Sequence, residues 1–400
     1  MDVALTSLLL EPLKLDLRLS DVEIGLIQGT AFGLGMGLSA IPNGLAIDRM
    51  NRSRLLTLGM VAWTAAMISA ATVSSFAVLF ISEMMLGVLT SLLTSTAVSL
   101  ISDVVRPERR SVATSLLAVS QTCGQALAFF AGGLLVDTLA HLDGRGMLLP
   151  IGFAPWRSVY LLFAALGALL LPFLASLREP ARLEVREGRV NVRQSFVELY
   201  RFRGFLVPLF AAAACSIMAS SAILTWIAPA LMRLYGQTPS QVGAWLGAVS
   251  LPAGIVGSLL AGRFSEAARR SSRGIVLPAS IASLAAAPCA LLAMTPSVGW
   301  AVLLLGLVIV AVAIVGVNVS ITITLYIPNE LRGLSQGLYL LTSFGVGRAL
   351  APGTVALTTE LLGGGRALGP AIALVAIPSC LFAAALFRRA SVAAPRRPDE

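Results

Sequence analysis

Eleven apolar stretches of about 20 residues or more, separated by short gaps that hold almost all of the arginines, constrain this chain more than any other feature. They fall near residues 24–47, 55–73, 76–101, 111–138, 157–176, 204–232, 240–263, 274–294, 298–326, 333–360 and 369–387. Twenty residues rise about 30 Å as a helix, which is the thickness of a bilayer's hydrocarbon core. In lipid, backbone groups must find their hydrogen bonds inside the protein, so runs of this length read as spanning helices. With 12% charged residues and a mean hydropathy of +0.87, a soluble fold is excluded. The spans and their loops use up the 400 residues and leave no length for a separate catalytic domain.

Ahead of the first span, Val3 to Leu10 is apolar but reads as stopped by Glu11-Pro12. Eight residues rise only about 12 Å, so this stub reads as the outer end of a further helix whose first half is absent. No basic segment or small-residue cleavage site marks it as a signal peptide. If the stub is helix 1, the loops after even-numbered helices and the C-terminal tail carry 22 Arg and Lys, against six on the opposite side. That asymmetry predicts a multi-pass membrane protein with a cytoplasmic C-terminus. It also accounts for the +9 net charge without nucleic acid as a partner. Cys123, Cys215, Cys289 and Cys380 all lie within apolar stretches and read as small core residues. His141, the single histidine, reads as a loop residue, which excludes a multi-histidine metal centre and a Ser-His-Asp system. No metal or cofactor is expected, and the chain does not read as an enzyme.

The longest hydrophilic stretch, Arg178 to Arg203, divides the spans six and six, and the sequence repeats across it. Gly25 and Gly243, Gly44 and Gly262, Asp48 and Glu266, and Arg52 and Arg270 each keep an offset of 218. The expected division is a bundle over 1–177, a linker over 178–203, a second bundle over 204–388 and a tail over 389–400. Two parallel six-helix halves form the organisation of major facilitator transporters, whose substrate site lies at mid-membrane between the halves. The expected fold class is therefore an all-α membrane protein with two pseudo-symmetric six-helix bundles and an incomplete first helix.

Local motifs carry the resemblance further. Gly44, Asp48, Arg49, Arg52 and Arg54 match the Gly-x-x-x-Asp-Arg-x-x-Arg-x-Arg loop between helices 2 and 3 of that family, and Gly262, Glu266 and Arg270 form a weaker copy. Gly44 would let helix ends approach, Asp48 would accept from a neighbouring helix N-terminus, and the arginines would pair with acids or with lipid phosphates on the inner face, Asp103 being a further member of the set. Arg110, in a loop of the same arginine-rich side, joins this gate set. LLLEPLKLDLRLSDVEIGLIQG (8–29), SLISDVVRPERRS (99–111), APWRSVYLLFAALGALLLPF (154–173), LREPAR (177–182), LTWIAPALMRLYGQTPSQVG (224–243) and IPNELRG (327–333), in this order and spacing, resemble the bacterial Spinster-like transporters. The resemblance implies a lipid-like, amphiphilic substrate and a monomer. The chain departs from that pattern where the family couples to protons. Asp2 keeps the acid of helix 1 but Val3 replaces its arginine, and Glu83 and Thr90 stand where helix 4 of the family carries Arg and Glu.

Ionisable groups inside a membrane are costly and mark function by default. Glu83 lies about 12 Å into its helix from the outer face, and Arg348 about 22 Å up from the inner face. Both are expected to face a central cavity, where they pair or bind the charged head of a substrate. Gln28, Gln121, Thr90 and Asn318 sit at mid-span, where amides and hydroxyls also join helices, and Trp226 is a further cavity candidate. The leading expectation is secondary transport of a small, lipid-like molecule by alternating access, driven by an ion or substrate gradient, with protons the candidate coupling ion. A proton-linked drug or metabolite exporter, a non-transporting membrane sensor and an intramembrane lipid enzyme are the alternatives.

Overall fold

A computed structural model describes residues 2–106, 109–143, 154–180, 192–270 and 274–394; the side chains of Asp2, Arg110 and Arg270 lie outside the described set. Among these residues the chain is helical, with no strand. The helices are α1 (Asp2–Leu17), α2 (Asp21–Arg49), α3 (Arg52–Thr72), α4 (Phe76–Val104), α5 (Arg110–Asp143) and α6 (Pro155–Ala175). After the short linker helix Val192–Tyr200 come α7 (Arg203–Tyr235), α8 (Pro239–Arg270), α9 (Leu277–Met294), α10 (Val298–Tyr326), α11 (Glu330–Leu361) and α12 (Leu368–Val392). The eleven from α2 to α12 are long and apolar enough to cross a membrane, where the hydropathy pattern predicts spans.

The first helix departs from expectation, because α1 continues through Glu11 and Pro12 to Leu17. Proline removes one helical N–H and crowds the preceding turn. Leu8, Leu9, Leu10 and Leu13 are nevertheless fully buried, and α1 packs against α5 and α7. That packing holds the helix together across the gap in its ladder. His141 lies in the last turn of α5 rather than in a loop. Of the cysteines, Cys289 and Cys380 are buried as expected, whereas Cys123 is exposed.

Local sequence sets the short connections. Ser20 and Glu23 form a capping box at the start of α2, and the Asn51 carboxamide caps α3 by accepting from the Arg54 amide at 2.8 Å. Helices α2, α3, α4 and α6 pack together with α1 and α5, and α7 to α12 form the second group. Between the two groups run the pairs α2–α11, α5–α8 and α1–α7. The 218-residue repeat relates α2 to α8, so the α2–α11 and α5–α8 seams are equivalent edges of one pseudo-symmetric assembly.

Candidate functional site

Both seams are packed through glycines. On the α2–α11 seam, a Cβ on Gly25 would fall 2.7 Å from the Pro352 carbonyl oxygen, and one on Gly37 would fall 2.5 Å from the Gly345 nitrogen. On the α5–α8 seam, Gly243 lies directly against the Phe129 carbonyl and Gly133. Only glycine permits such approaches between helix backbones. Further along the seams, a Cβ on Gly44, Gly262 or Gly333 would meet no atom within 4 Å among the described residues, although Gly337 of α11 still lies against Ile41 of α2. Gly44 itself therefore makes no close backbone approach of the kind seen at Gly25 and Gly37.

One end is clasped by charge. Arg233, at the end of α7, donates to Glu11 Oε1 of α1 at 2.6 Å and to both Asp21 carboxylate oxygens at the start of α2, at 2.9 and 2.7 Å. Lys14 also reaches Asp21, at 2.6 Å. Nearby, Asp16 accepts from Arg157 at 3.0 Å and from the Trp156 indole at 3.1 Å, tying α1 to α6. The guanidinium fork of Arg233 thus fastens one half of the molecule to the other.

At the arginine-rich end Arg52 is a hub within the first half. It is 3% exposed, pairs with Asp103 of α4, donates to Ser99 Oγ at 3.2 Å and donates from Nε to Glu179 Oε1 at 2.9 Å. The other Glu179 oxygen accepts from the Ser53 amide at 2.8 Å, in the first turn of α3. Burial acts to raise the Glu179 carboxyl, but the Ser53 amide and the Arg52 guanidinium outweigh it and hold it below its ordinary value. Glu179 thereby caps the first turn of α3, and Asp48 is exposed with Arg49 and Arg54. The side chains of Arg110 and Arg270 lie outside the described residues, and Glu266 is half-buried.

Between these ends, α2 and α11 each contain a π-helical turn, Leu26–Ala31 and Ser343–Arg348, and the two turns face each other across the seam. Such turns recur at functional sites because they redirect side chains without breaking a helix. Thr30 donates to the Ala349 carbonyl at 2.8 Å. Arg348 is 9% exposed with its guanidinium 4.8 Å above the Phe32 ring. Gln28 is 2% exposed, and its Nε2 has no partner among the described residues. Glu83 is buried in the first half, where the Tyr160 hydroxyl donates to it at 3.2 Å and lies 3.0 Å from Thr6 Oγ1. In the second half, an apolar pocket of about 90 Å³ is walled by Ala213, Ile217, Val312 and Gly316. Ser283 and Tyr339 add hydroxyls to its wall, and that of Tyr339 has no hydrogen-bond partner among the described residues.

The remaining candidates are dispersed. Trp226 is fully buried and donates to the Pro352 carbonyl at 3.1 Å, joining α7 to α11. Asn318 joins helices, donating to Ser265 Oγ at 2.9 Å and to the Ile275 carbonyl at 2.8 Å. Gln121 is exposed rather than packed, Thr90 is half-buried on α4, and the Asp2 side chain lies outside the described residues. Sequence reasoning missed Glu11, Asp21, Arg233, Glu179, Tyr160 and Tyr339. Its available signals were Glu11-Pro12, read there as a stop, and Arg233, counted there only as a loop charge.

Two groups of membrane-crossing helices, joined at pseudo-equivalent glycine-packed seams and clasped by Arg233 at one end, define a polytopic protein of the two-bundle class. The chain belongs to the Major Facilitator Superfamily, whose family model matches residues 1–352. It is 26% identical over 300 residues to an MFS-type efflux pump of Mycolicibacterium smegmatis, covering 73% of this chain and 65% of that one. It is 25% identical over 224 residues to a sphingosine-1-phosphate transporter of Danio rerio (54% and 42%) and 26% identical over 303 residues to a spinster homolog of Mus musculus (69% and 55%). The matched stretches thus span less than two thirds of these relatives. Two crystal structures of a bacterial homolog to the human lysosomal transporter Spinster, both inward-facing, superpose with TM-scores of 0.73 and 0.74 at 22% and 21% identity. They cover 98% of this chain and 92% of theirs.

Proposed function

We propose that the chain is a secondary transporter that moves a small amphiphile across the bacterial inner membrane by alternating access, as a monomer with a cytoplasmic C-terminus. The observation that carries this reading is the contrast along the seams, clasped by Arg233 at one end, whereas a Cβ on Gly44, Gly262 or Gly333 toward the other would meet open space. In this reading the arginine-rich face is cytoplasmic, the conformation is inward-open, and the seams are the surfaces that rock. The head of the substrate lies at the facing π-turns, where Arg348 and the Gln28 amide bind an anionic or hydrogen-bonding group. Its tail enters the apolar cavity beside Tyr339, nine residues from Arg348 and so about 14 Å away along α11. Glu83, with Tyr160 and Thr6, is the coupling acid, with Asp2 and Thr90 as further candidates.

Flux into proteoliposomes tests this directly, using a lysolipid and a cationic dye, each with and without a pH gradient. The lysolipid is expected to move, and Arg348→Gln to slow it about 30-fold, the equivalent of one charge-assisted contact of about 2 kcal/mol. The buried acid at Glu83 favours a second reading as a proton-linked exporter, also consistent with the efflux-pump relative. Dye flux that requires the pH gradient, without lysolipid flux, would replace the first reading with the second.

A further inference from the structure

The linker helix Val192–Tyr200 is built like a surface-seeking element. Leu199 is its buried anchor, 4% exposed, and the helix packs against the first turns of α11. Phe196, Val197 and Tyr200 instead point away from the protein at 41%, 62% and 65% exposure. Such a cluster on a nine-residue helix is costly in water. Two residues later the chain enters the spanning helix α7, whose outward Val207 is 64% exposed, so the linker helix lies beside the surface that lipid covers. Arg201 and Arg203 are exposed at this junction, and the Arg203 guanidinium stands 4.5 Å above the Tyr200 ring. Exposed aromatic and aliphatic side chains flanked by arginines match the chemistry of a bilayer's headgroup zone, apolar below and phosphate-bearing above.

The geometry points to the linker helix as a docking surface for anionic phospholipid. Phe196, Val197 and Tyr200 enter the headgroup boundary, and Arg201 and Arg203 bind lipid phosphates. Two arginines near a charged leaflet give about a 30-fold preference for anionic over zwitterionic lipid, and that preference falls as salt screens it. Between Arg178 and Arg203 the chain carries seven arginines against four glutamates, Glu198 of the linker helix among them, so the segment keeps a net positive charge.

The test uses the full chain with its four cysteines replaced by serine or alanine, Val197→Cys labelled with an environment-sensitive fluorophore, and vesicles of phosphatidylcholine with or without phosphatidylglycerol. In the anionic vesicles the label is expected to shift to the blue and to be protected from an aqueous quencher. Arg201→Gln with Arg203→Gln should remove most of that protection. Raising the salt on the arginine-intact chain makes the same comparison without disturbing folding, and Phe196→Gln should weaken protection in either lipid. Equal quenching in both vesicle types and at all salt concentrations would overturn the proposal. So would protection that disappears on diluting protein into more lipid, which would assign the surface to a second copy of the chain. Neither outcome depends on what the protein transports.

Discussion

Arg52 and Glu179 carry much of the physical logic of the arginine-rich face. Arg52 is nearly buried and answers two carboxylates from different parts of the chain, Asp103 on α4 and Glu179 just beyond α6. Removing one member of such a buried set strands the others, at a cost of about 3–5 kcal/mol. Arg52→Gln is therefore expected to lower the thermal unfolding midpoint of the detergent-solubilised protein by several degrees. Arg52→Lys should restore little, because a point charge cannot serve both carboxylates and Ser99 as the planar fork does. Glu179 adds a pH dependence whose sign follows from its depressed carboxyl. A folded-state pKa below the unfolded one gives stability that is present above the unfolded value and lost as pH falls through the folded value. Melting curves of the unmodified protein should thus weaken below about pH 4.5, and Glu179→Gln should flatten that part of the profile. Arg52 was legible as a paired gate residue from its motif spacing. Glu179 was not, because the motif gives no hint that an acid 127 positions away returns to the same turn.

At the scale of elements, hydropathy located all eleven long helices, because lipid permits little besides a helix over such a length. It failed where a helix obeys packing instead of pattern. Pro12 reads as a stop, yet α1 passes through it on the strength of buried leucines. The π-turns that turn Gln28 and Arg348 toward the seam leave no mark in the sequence, since one extra residue in a turn changes neither composition nor periodicity enough to be seen. The glycines were visible, but not which of them were in contact. Gly37 lies against Gly345, whereas Gly44, two turns further along α2, faces open space. Substituting each separates the two ends of the seam. Gly37→Leu must part α2 from α11 and should destabilise the conformation described here, with a lowered unfolding midpoint. Gly44→Leu should leave the midpoint almost unchanged, within about 0.5 kcal/mol, and still depress flux, because the bulk obstructs the closure that must follow. Equal effects of both substitutions on stability and flux would remove the distinction between a closed and an open end.

For the whole molecule, the question is what holds it in one state without trapping it there. The packed glycine seams resist small deformations, so the halves have discrete arrangements rather than a continuum. The outer clasp of Arg233 with Glu11 and Asp21 biases the choice between them, since its contacts exist only while that face is shut. Its side chains are 10–21% exposed, which tempers their strength, and the net contribution is about 2–3 kcal/mol. Arg233→Gln should therefore raise the ratio of outward-open to inward-open molecules by about 30- to 150-fold. Distances between spin labels on the outer ends of α2 and α7, measured with and without the substitution, read that ratio directly. A longer distance should gain weight in the variant. Glu11→Gln should give a smaller change of the same sign, because Asp21 still accepts two of the bonds. If the distance distribution stays single and short in Arg233→Gln, the glycine seams alone hold the outer face closed, and the clasp serves only to orient α1.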